Sequence, residues 1–333
     1  MLTLPEFELV RPRSLDEACA ALDGEEGEAL LIAGGTDLLP NMKHGLFTPR
    51  RLVSLRGVSE LREIRETDEG GLVVGAGLTL SSIASHPLVR ARYGAFAKAA
   101  GVVAGPQIRN MATLGGNVCL DTRCSYYNQT EFWRGALGYC IKKDGTICHV
   151  VPKGQKCVAA ASADTPTALL VYGAKLRLVS RRGERWVDLD AFFVNDGIRN
   201  NTKAHDEILA AVALPPAEKG AFAAYHKFSL RKAIDFPLLS IALSVQKTES
   251  GQVASLKLAV GALTARPRLM RLNGIALGRP LTPEFVSQVA EEAHKQCHPL
   301  LSVAIDPTWR RDIVPVCVRR AFDELAPATA GGS

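Results

Sequence analysis

Hydrophobic positions along this chain change period twice, and the changes divide it into three stretches. In the first, Leu15, Ala18, Cys19 and Leu22 recur at helical spacing behind Ser14 and Glu17, an S-x-x-E capping box, and Asp23-Gly24 closes the helix. The apolar run Leu30–Ala33 predicts a buried strand that ends in Gly34-Gly35. Thr36 or Asp37 then caps a short helix stopping at Gly45, and Leu52–Leu55 predicts a second strand. Residues 1–57 therefore read as a small α/β unit.

The second stretch, residues 58–216, opens with a strand over Gly71–Gly77, one helix over LSSIASHPLVR and a small-residue helix over AFAKAAGVVA. It continues with the helix TPTALLVYG, the strand KLRLVS, the turn RRGE and the strand RWVDL, and DEILAAVALP closes it. In the third, residues 217–328, AAYHKFSL, SIALSVQKT and VASLKLAVGAL alternate apolar and polar residues with no helix between them. That pattern predicts a three-stranded antiparallel sheet. Thr282-Pro283 and Asp306-Pro307 start helices, and Pro315 must begin or kink one. The fold class is α+β: two α/β units followed by an antiparallel sheet with helices. The small-residue tail ATAGGS reads as a frayed end.

Residues 119–160, approximately, fit none of these patterns. Their apolar content is thin, yet they hold Cys124, Cys140, Cys148 and Cys157. Such a segment needs something to hold it together, and a metal centre is the obvious candidate. The spacing C-x15-C-x7-C-x8-C matches neither the ferredoxin patterns nor the paired C-x2-C knuckles of zinc sites. Spacing alone therefore leaves metal binding and four unrelated thiols equally open. Cys119 reads as a core residue, and Cys19, Cys297 and Cys317 as buried thiols on helices. His149 beside Cys148 reads as a neighbour of the thiols or a surface residue. Tyr126, Tyr127, Phe132, Trp133 and Tyr139 would shield a metal centre from water or form a miniature core.

Composition narrows the function classes. With 47% apolar residues in 333, the chain is long enough for several cored domains. The net charge of +6 is modest, and the basic runs RPRSL, RRGER and WRR are short and lack interleaved aromatics, which argues against nucleic acid. The longest apolar runs are strand-sized, which argues against a membrane span. The first residues, MLTLPEFELV, lack a signal-peptide pattern, so the expected location is the cytoplasm. There, clustered thiols bind metal or do redox work more often than they form disulfides. A mildly basic surface suits acidic redox partners.

AGGTDLLP (Ala33–Pro40) and TLGGN (Thr113–Asn117) are glycine turns leading into helices, where successive N–H groups can cradle a phosphate. Two of them on different units suit a pyrophosphate clamped between. Neither is a G-x-G-x-x-G or a Walker loop.

In order, AGGTDLLP, GAGLTL, QIRN-x-ATLGGN, SADTPTALL and KFSLRKAIDFPLLSIAL resemble the FAD-binding medium subunit of the molybdenum hydroxylase (xanthine oxidase) family, over nearly the whole chain. With its four-cysteine insert the chain is most similar to the beta subunit of the 4-hydroxybenzoyl-CoA reductase type; ordinary relatives such as carbon monoxide and xanthine dehydrogenases lack that insert. The resemblance implies a two-subdomain (PCMH-type) FAD-binding domain and a C-terminal flavoprotein domain. It places FAD on Ile32, Ala33, Gly34, Gly35, Thr36, Asp37, Leu38 and Leu39, and on Thr113, Leu114, Gly115, Gly116 and Asn117. It also implies that Asp164 bonds to the cofactor, that Lys227 lies near the flavin, and that Val103 and Leu209 line its ring or adenine pocket. A plain helix cap at Asp164 and a solvated strand lysine at Lys227 fit those positions as well. The resemblance makes Cys124, Cys140, Cys148 and Cys157 the ligands of a 4Fe–4S cluster.

The implied partners are a large molybdenum-cofactor subunit and a small 2Fe–2S subunit, in a dimer of heterotrimers, with ferredoxin as electron donor. Electrons would pass from ferredoxin through 4Fe–4S and FAD to those subunits, where 4-hydroxybenzoyl-CoA is reductively dehydroxylated to benzoyl-CoA. No residue of this chain would be catalytic towards that substrate. Two alternatives remain. One is the same fold serving another molybdenum hydroxylase of the aromatic, purine or CO dehydrogenase type. The other is a zinc- or redox-sensing regulator whose glycine loops are plain turns.

Overall fold

Three separate sheets carry the chain in the computed structural model, which describes residues 2–218, 220–303 and 305–325. The tail ATAGGS lies outside the described residues. The first sheet is wholly parallel, β1 (Glu8–Val10), β3 (Arg51–Ser54) and β2 (Ala29–Ile32), with β3 in the middle. Ser14 caps the helix Leu15–Ala21 by accepting the Glu17 N–H at 3.2 Å. The Glu17 carboxylate reaches back one residue further than a capping box requires, to the Arg13 N–H at 2.7 Å. The sequence pattern makes β2 a buried strand, but every residue of it is only half-buried, because one face is the wall of a cleft.

The second sheet is antiparallel throughout, in the order β4 (Ile64–Glu66), β5 (Leu72–Gly75), β8 (Ile208–Leu214), β6 (Lys175–Ser180), β7 (Gly183–Asp188). The single helix expected over LSSIASHPLVR is two, Leu80–Ser85 and Pro87–Arg92. Pro87 has no N–H to donate and holds His86 in an extended conformation, so the first helix ends there. Helix Asp164–Tyr172 is buried from Asp164 to Val171 and stops at Gly173, whose left-handed backbone (φ 68°) closes it.

The third sheet runs β12 (Arg268–Leu269), β11 (Val253–Gly261), β10 (Leu239–Lys247), β9 (Ala221–Phe228), antiparallel, with the two-residue β12 added to the three strands expected. Strand alternation gives β10 two jobs. Leu239, Ile241, Leu243 and Val245 pack under helices Pro283–Gln296 and Val314–Asp323, while Ala242 joins the core around helix Asp164–Tyr172. Pro315 sits in the first turn of its helix, as its chemistry requires.

The insert contains one short helix, Glu131–Ala136. Its ends are clipped where Arg123 and Ala160 exchange two N–H···O bonds of 2.8 Å. Arg134, almost fully buried, donates to the carbonyls of His44 and Gly45 at 3.1 and 3.2 Å and so ties the insert to the first unit. Ser125 N–H bonds the Ser302 carbonyl at 2.8 Å, which ties it to the third.

Candidate functional site

Gly34 and Gly35 follow β2 and press against the segment before the second glycine loop. A Cβ on Gly34 would lie 2.0 Å from the Met111 carbonyl oxygen, so the two loops meet backbone to backbone. Gly35 takes a left-handed conformation (φ 70°) and turns the chain into helix Leu38–Lys43. Between the loops opens a cleft of about 910 Å³. That is near the top of the ~300–1,000 Å³ range of cofactor and ligand sites.

Ile32, Ala33, Gly34, Gly35, Thr36, Asp37 and Leu38 line the cleft from one side, and Thr113, Gly115, Gly116 and Asn117 from the other. Val103 and Leu209 also line it. Leu39 lies under Gly35, and Leu114 points into the core. The loops differ in the donors they leave free. The N–H groups of Leu114, Gly115, Gly116 and Asn117 are already bonded, to Leu78, Ala76, the Thr113 hydroxyl and the Thr113 carbonyl. Among the described residues no protein acceptor takes the N–H groups of Gly35, Thr36, Asp37 or Leu38. The nest of free donors is therefore on the first loop, and the second contributes shape.

Asp164 and Lys227 are not among the residues that line the cleft. Asp164, buried, accepts the Tyr225 hydroxyl at 2.7 Å and the Lys227 ammonium at 3.2 Å, and Lys227 also donates to the Val102 carbonyl at 3.1 Å. The N-cap of this helix is Ala163, so Asp164 does not cap it. Burial pushes the Asp164 carboxyl up to about 6, against Lys227 and Tyr225, which pull it down. An acid raised on folding stabilises the fold below its unfolded value of about 4 and loses that contribution as pH rises through its folded value. A two-unit rise corresponds to about 3 kcal/mol. The stability of wild-type relative to Asp164→Asn protein should therefore fall by about that amount between pH 4 and 7 in urea unfolding. A difference that does not vary with pH would show that burial does not dominate this carboxyl.

Across the segment Asp121–Arg123 from the cleft lies a small cavity. Cys124, Cys140, Cys148 and Cys157 all line it, with Tyr126, Tyr127, Lys142 and His149. Burial pushes the Cys124 thiol up and the Cys157 thiol up to about 11, so both are protonated at neutral pH. Among the described residues no three His, Cys, Asp or Glu side chains converge tightly enough for one ion. The four cysteines that line the cavity form a thiol donor set with no carboxylate among it.

Cys119 does not line this cavity; it lines the cleft between the glycine loops, and burial pushes its thiol up to about 11. Cys19, Cys297 and Cys317 are buried elsewhere. His149 stacks on Tyr126, with 5.2 Å between ring centres. The insert's aromatics do not form one shield. Tyr127 is buried with Leu46 and Cys140, while Phe132 is 88% exposed. The structure also brings in residues that sequence reasoning missed. Arg123, Lys143 and Phe236 line the cleft, and their only sequence signal is that Arg123 adjoins Cys124.

The family model for the FAD binding domain in molybdopterin dehydrogenase matches residues 5–217, and the model for the CO dehydrogenase flavoprotein C-terminal domain matches residues 223–325. The chain belongs to this flavoprotein family. It is 29% identical over 307 residues to the putative xanthine dehydrogenase FAD-binding subunit of Escherichia coli K12, across 92% of this chain and 91% of that one. It is 28% identical to the carbon monoxide dehydrogenase medium chain of Hydrogenophaga pseudoflava, across 96% of each. A solved carbon monoxide dehydrogenase from that bacterium, lacking the Mo-pyranopterin moiety, matches with a TM-score of 0.79 at 25% identity, over 97% of this chain and 98% of that one. As a member of the molybdenum hydroxylase flavoproteins, this oxidoreductase subunit takes FAD, and its glycine-walled cleft has the volume and the free donors for it. The family match extends to FAD and to the fold; it does not extend to the 4-hydroxybenzoyl-CoA reductase type. No helix of the described residues is long and apolar enough to cross a membrane.

Proposed function

We propose that this chain is the electron-transfer flavin subunit of a molybdenum enzyme, and that its cysteine cage takes a 4Fe–4S cluster which exchanges electrons with FAD. One observation carries the reading: Cys124, Cys140, Cys148 and Cys157 meet at one cavity, separated from the flavin cleft by the segment Asp121–Arg123. FAD supplies the exchange of one or two electrons, and the protein supplies position and potential. Lys142 serves the cage electrostatically. Its ammonium is held at 2.7 Å by Asp121 and lies 4.2 Å from the Tyr127 ring centre, a buried cation beside the thiolates.

The partners in this reading are a molybdenum-cofactor large subunit and a 2Fe–2S small subunit, assembled as a dimer of heterotrimers in the cytoplasm, with ferredoxin as donor. The three units of the chain, 1–57, 58–216 and 217–328, would enter that assembly as one body. Delivery of two electrons and two protons would remove the hydroxyl of 4-hydroxybenzoyl-CoA as water and leave benzoyl-CoA. A second reading keeps the flavin subunit and reverses the flow, with FAD accepting electrons from a hydroxylation. The comparisons support this one more directly, since the relatives include xanthine, carbon monoxide and nicotinate dehydrogenase subunits. The reductase reading rests on the insert.

The test uses the assembled enzyme with a cage that has lost its iron and still holds FAD. Under the reductase reading, reduced ferredoxin should reduce its flavin at least about tenfold more slowly than in wild type, and the wild-type rate should fall as salt rises. Equal rates with and without the iron would make the insert structural.

A further inference from the structure

We propose that Arg123, a residue of the cysteine insert, sets the charge of the anion-binding face of the flavin cleft: it cancels the Asp37 carboxylate beside the first glycine loop, so that the free N–H groups of that loop can take the diphosphate of the dinucleotide. This rests on the flavin reading of the cleft and does not depend on a cluster in the cage.

Asp37 poses the electrostatic problem. It stands in the loop whose N–H groups are free, and its side chain, 27% exposed, carries a negative charge where a diphosphate would lie. Like charges at such range repel, and partial burial weakens the screening. Asp37 does not spend its carboxylate on capping the helix that follows. It pairs instead with the Arg123 guanidinium and accepts from the Asn41 amide at 3.1 Å.

Arg123 is placed for more than that pair. Its side chain is 18% exposed and lines the cleft, its guanidinium lies 4.8 Å from the centre of the Phe236 ring, and its backbone is clipped to Ala160. Its Nε is buried and has no partner among the described residues. That Nε–H faces protein and not the cleft, so Arg123 acts on the cleft through its charge. Lys143, the insert's other cation at this cleft, is 3.3 Å from the Asp144 carboxylate.

The rival role is a staple, in which Arg123 only holds the loop through Asp37. Charge removal separates the two. FAD dissociation constants would be measured by flavin fluorescence on the assembled protein for Arg123→Gln, Arg123→Lys, Asp37→Asn and the double variant Arg123→Gln/Asp37→Asn, with iron per chain as a check on the insert. On the proposal, Arg123→Gln weakens FAD binding about tenfold or more, because it leaves the Asp37 carboxylate unpaired beside the diphosphate. Asp37→Asn binds FAD at least as tightly as wild type, and the double variant recovers part of the loss. Arg123→Lys falls between, since it keeps the charge and loses the planar guanidinium that pairs with Asp37. Iron content stays constant across the set. If Asp37→Asn weakens FAD as much as Arg123→Gln does, the staple is right and the proposal is wrong. Unchanged affinity in Arg123→Gln overturns it equally. Loss of iron in the cysteine variants bears on the cluster alone.

Discussion

Serine in place of Cys124, Cys140, Cys148 or Cys157, one at a time, is expected to cost the assembled protein about four irons per chain and to leave FAD bound, whereas serine at Cys119 leaves the iron intact. The stoichiometry follows from a cluster held by four thiolates, one to each iron. The separation of effects follows from geometry. The four cysteines line one cavity, Cys119 lines the other, and the segment Asp121–Arg123 stands between. The insert is also fastened by groups other than the thiols, through Arg134 to His44 and Gly45 and through the Arg123–Ala160 clip, so losing the cluster need not disturb the glycine loops. Iron assay and flavin absorbance on the same anaerobic sample decide the matter. Iron retained in any of the four variants, or lost from Cys119→Ser, would overturn the ligand assignment.

Gly34→Ala should abolish FAD binding at working concentrations. The added methyl would lie 2.0 Å from the Met111 carbonyl oxygen and 2.6 Å from its carbon, and both are backbone atoms that cannot swing aside. The two loops must separate instead, and both line the cleft. Overpacking of this kind costs about 3 kcal/mol, and that corresponds to roughly a hundredfold in affinity if the strain is relieved by opening the site. Gly101→Ala is the control. Gly101 ends helix Gly94–Gly101, its new Cβ would meet only the Ala84 Cβ at 3.5 Å, and FAD binding should be unaffected. Flavin content after gel filtration reads both. Full flavin in Gly34→Ala would show that the loops do not need their backbone contact to hold the cofactor.

Much of the architecture was legible in local pattern. A capping serine, prolines at helix starts and the largely alternating pattern of β10 report the period and ends of elements, and these depend on neighbours a few residues away. The break at His86 was equally local, since the steric effect of Pro87 acts on the residue before it; the helical pattern on either side masked it. The glycine loops and the cysteine-bearing insert could be located from residue types alone. How each loop serves the site could not. Ala76, Leu78 and Thr113 consume the donors of one loop while those of the other stay free, and a glycine turn looks the same in sequence whichever way its N–H groups are used.

Asp164 and Lys227 show the same limit. Their residue types suit a cofactor contact, and the fold joins them as a buried ion pair, with Tyr225 and Val102 as further partners, outside the cleft lining. Arg123 is the reverse case, a charge beside a candidate ligand that nothing local marks. Its pairing with Asp37 spans 86 positions, from 37 to 123, and its contact with Phe236 spans 113, from 123 to 236. Sequence alone determined most of the elements, the loops and the four thiols. Tertiary structure decided which donors stay free, which carboxylate is neutralised and which cavity each cysteine faces, because burial and pairing are set by residues that meet only once the chain is folded.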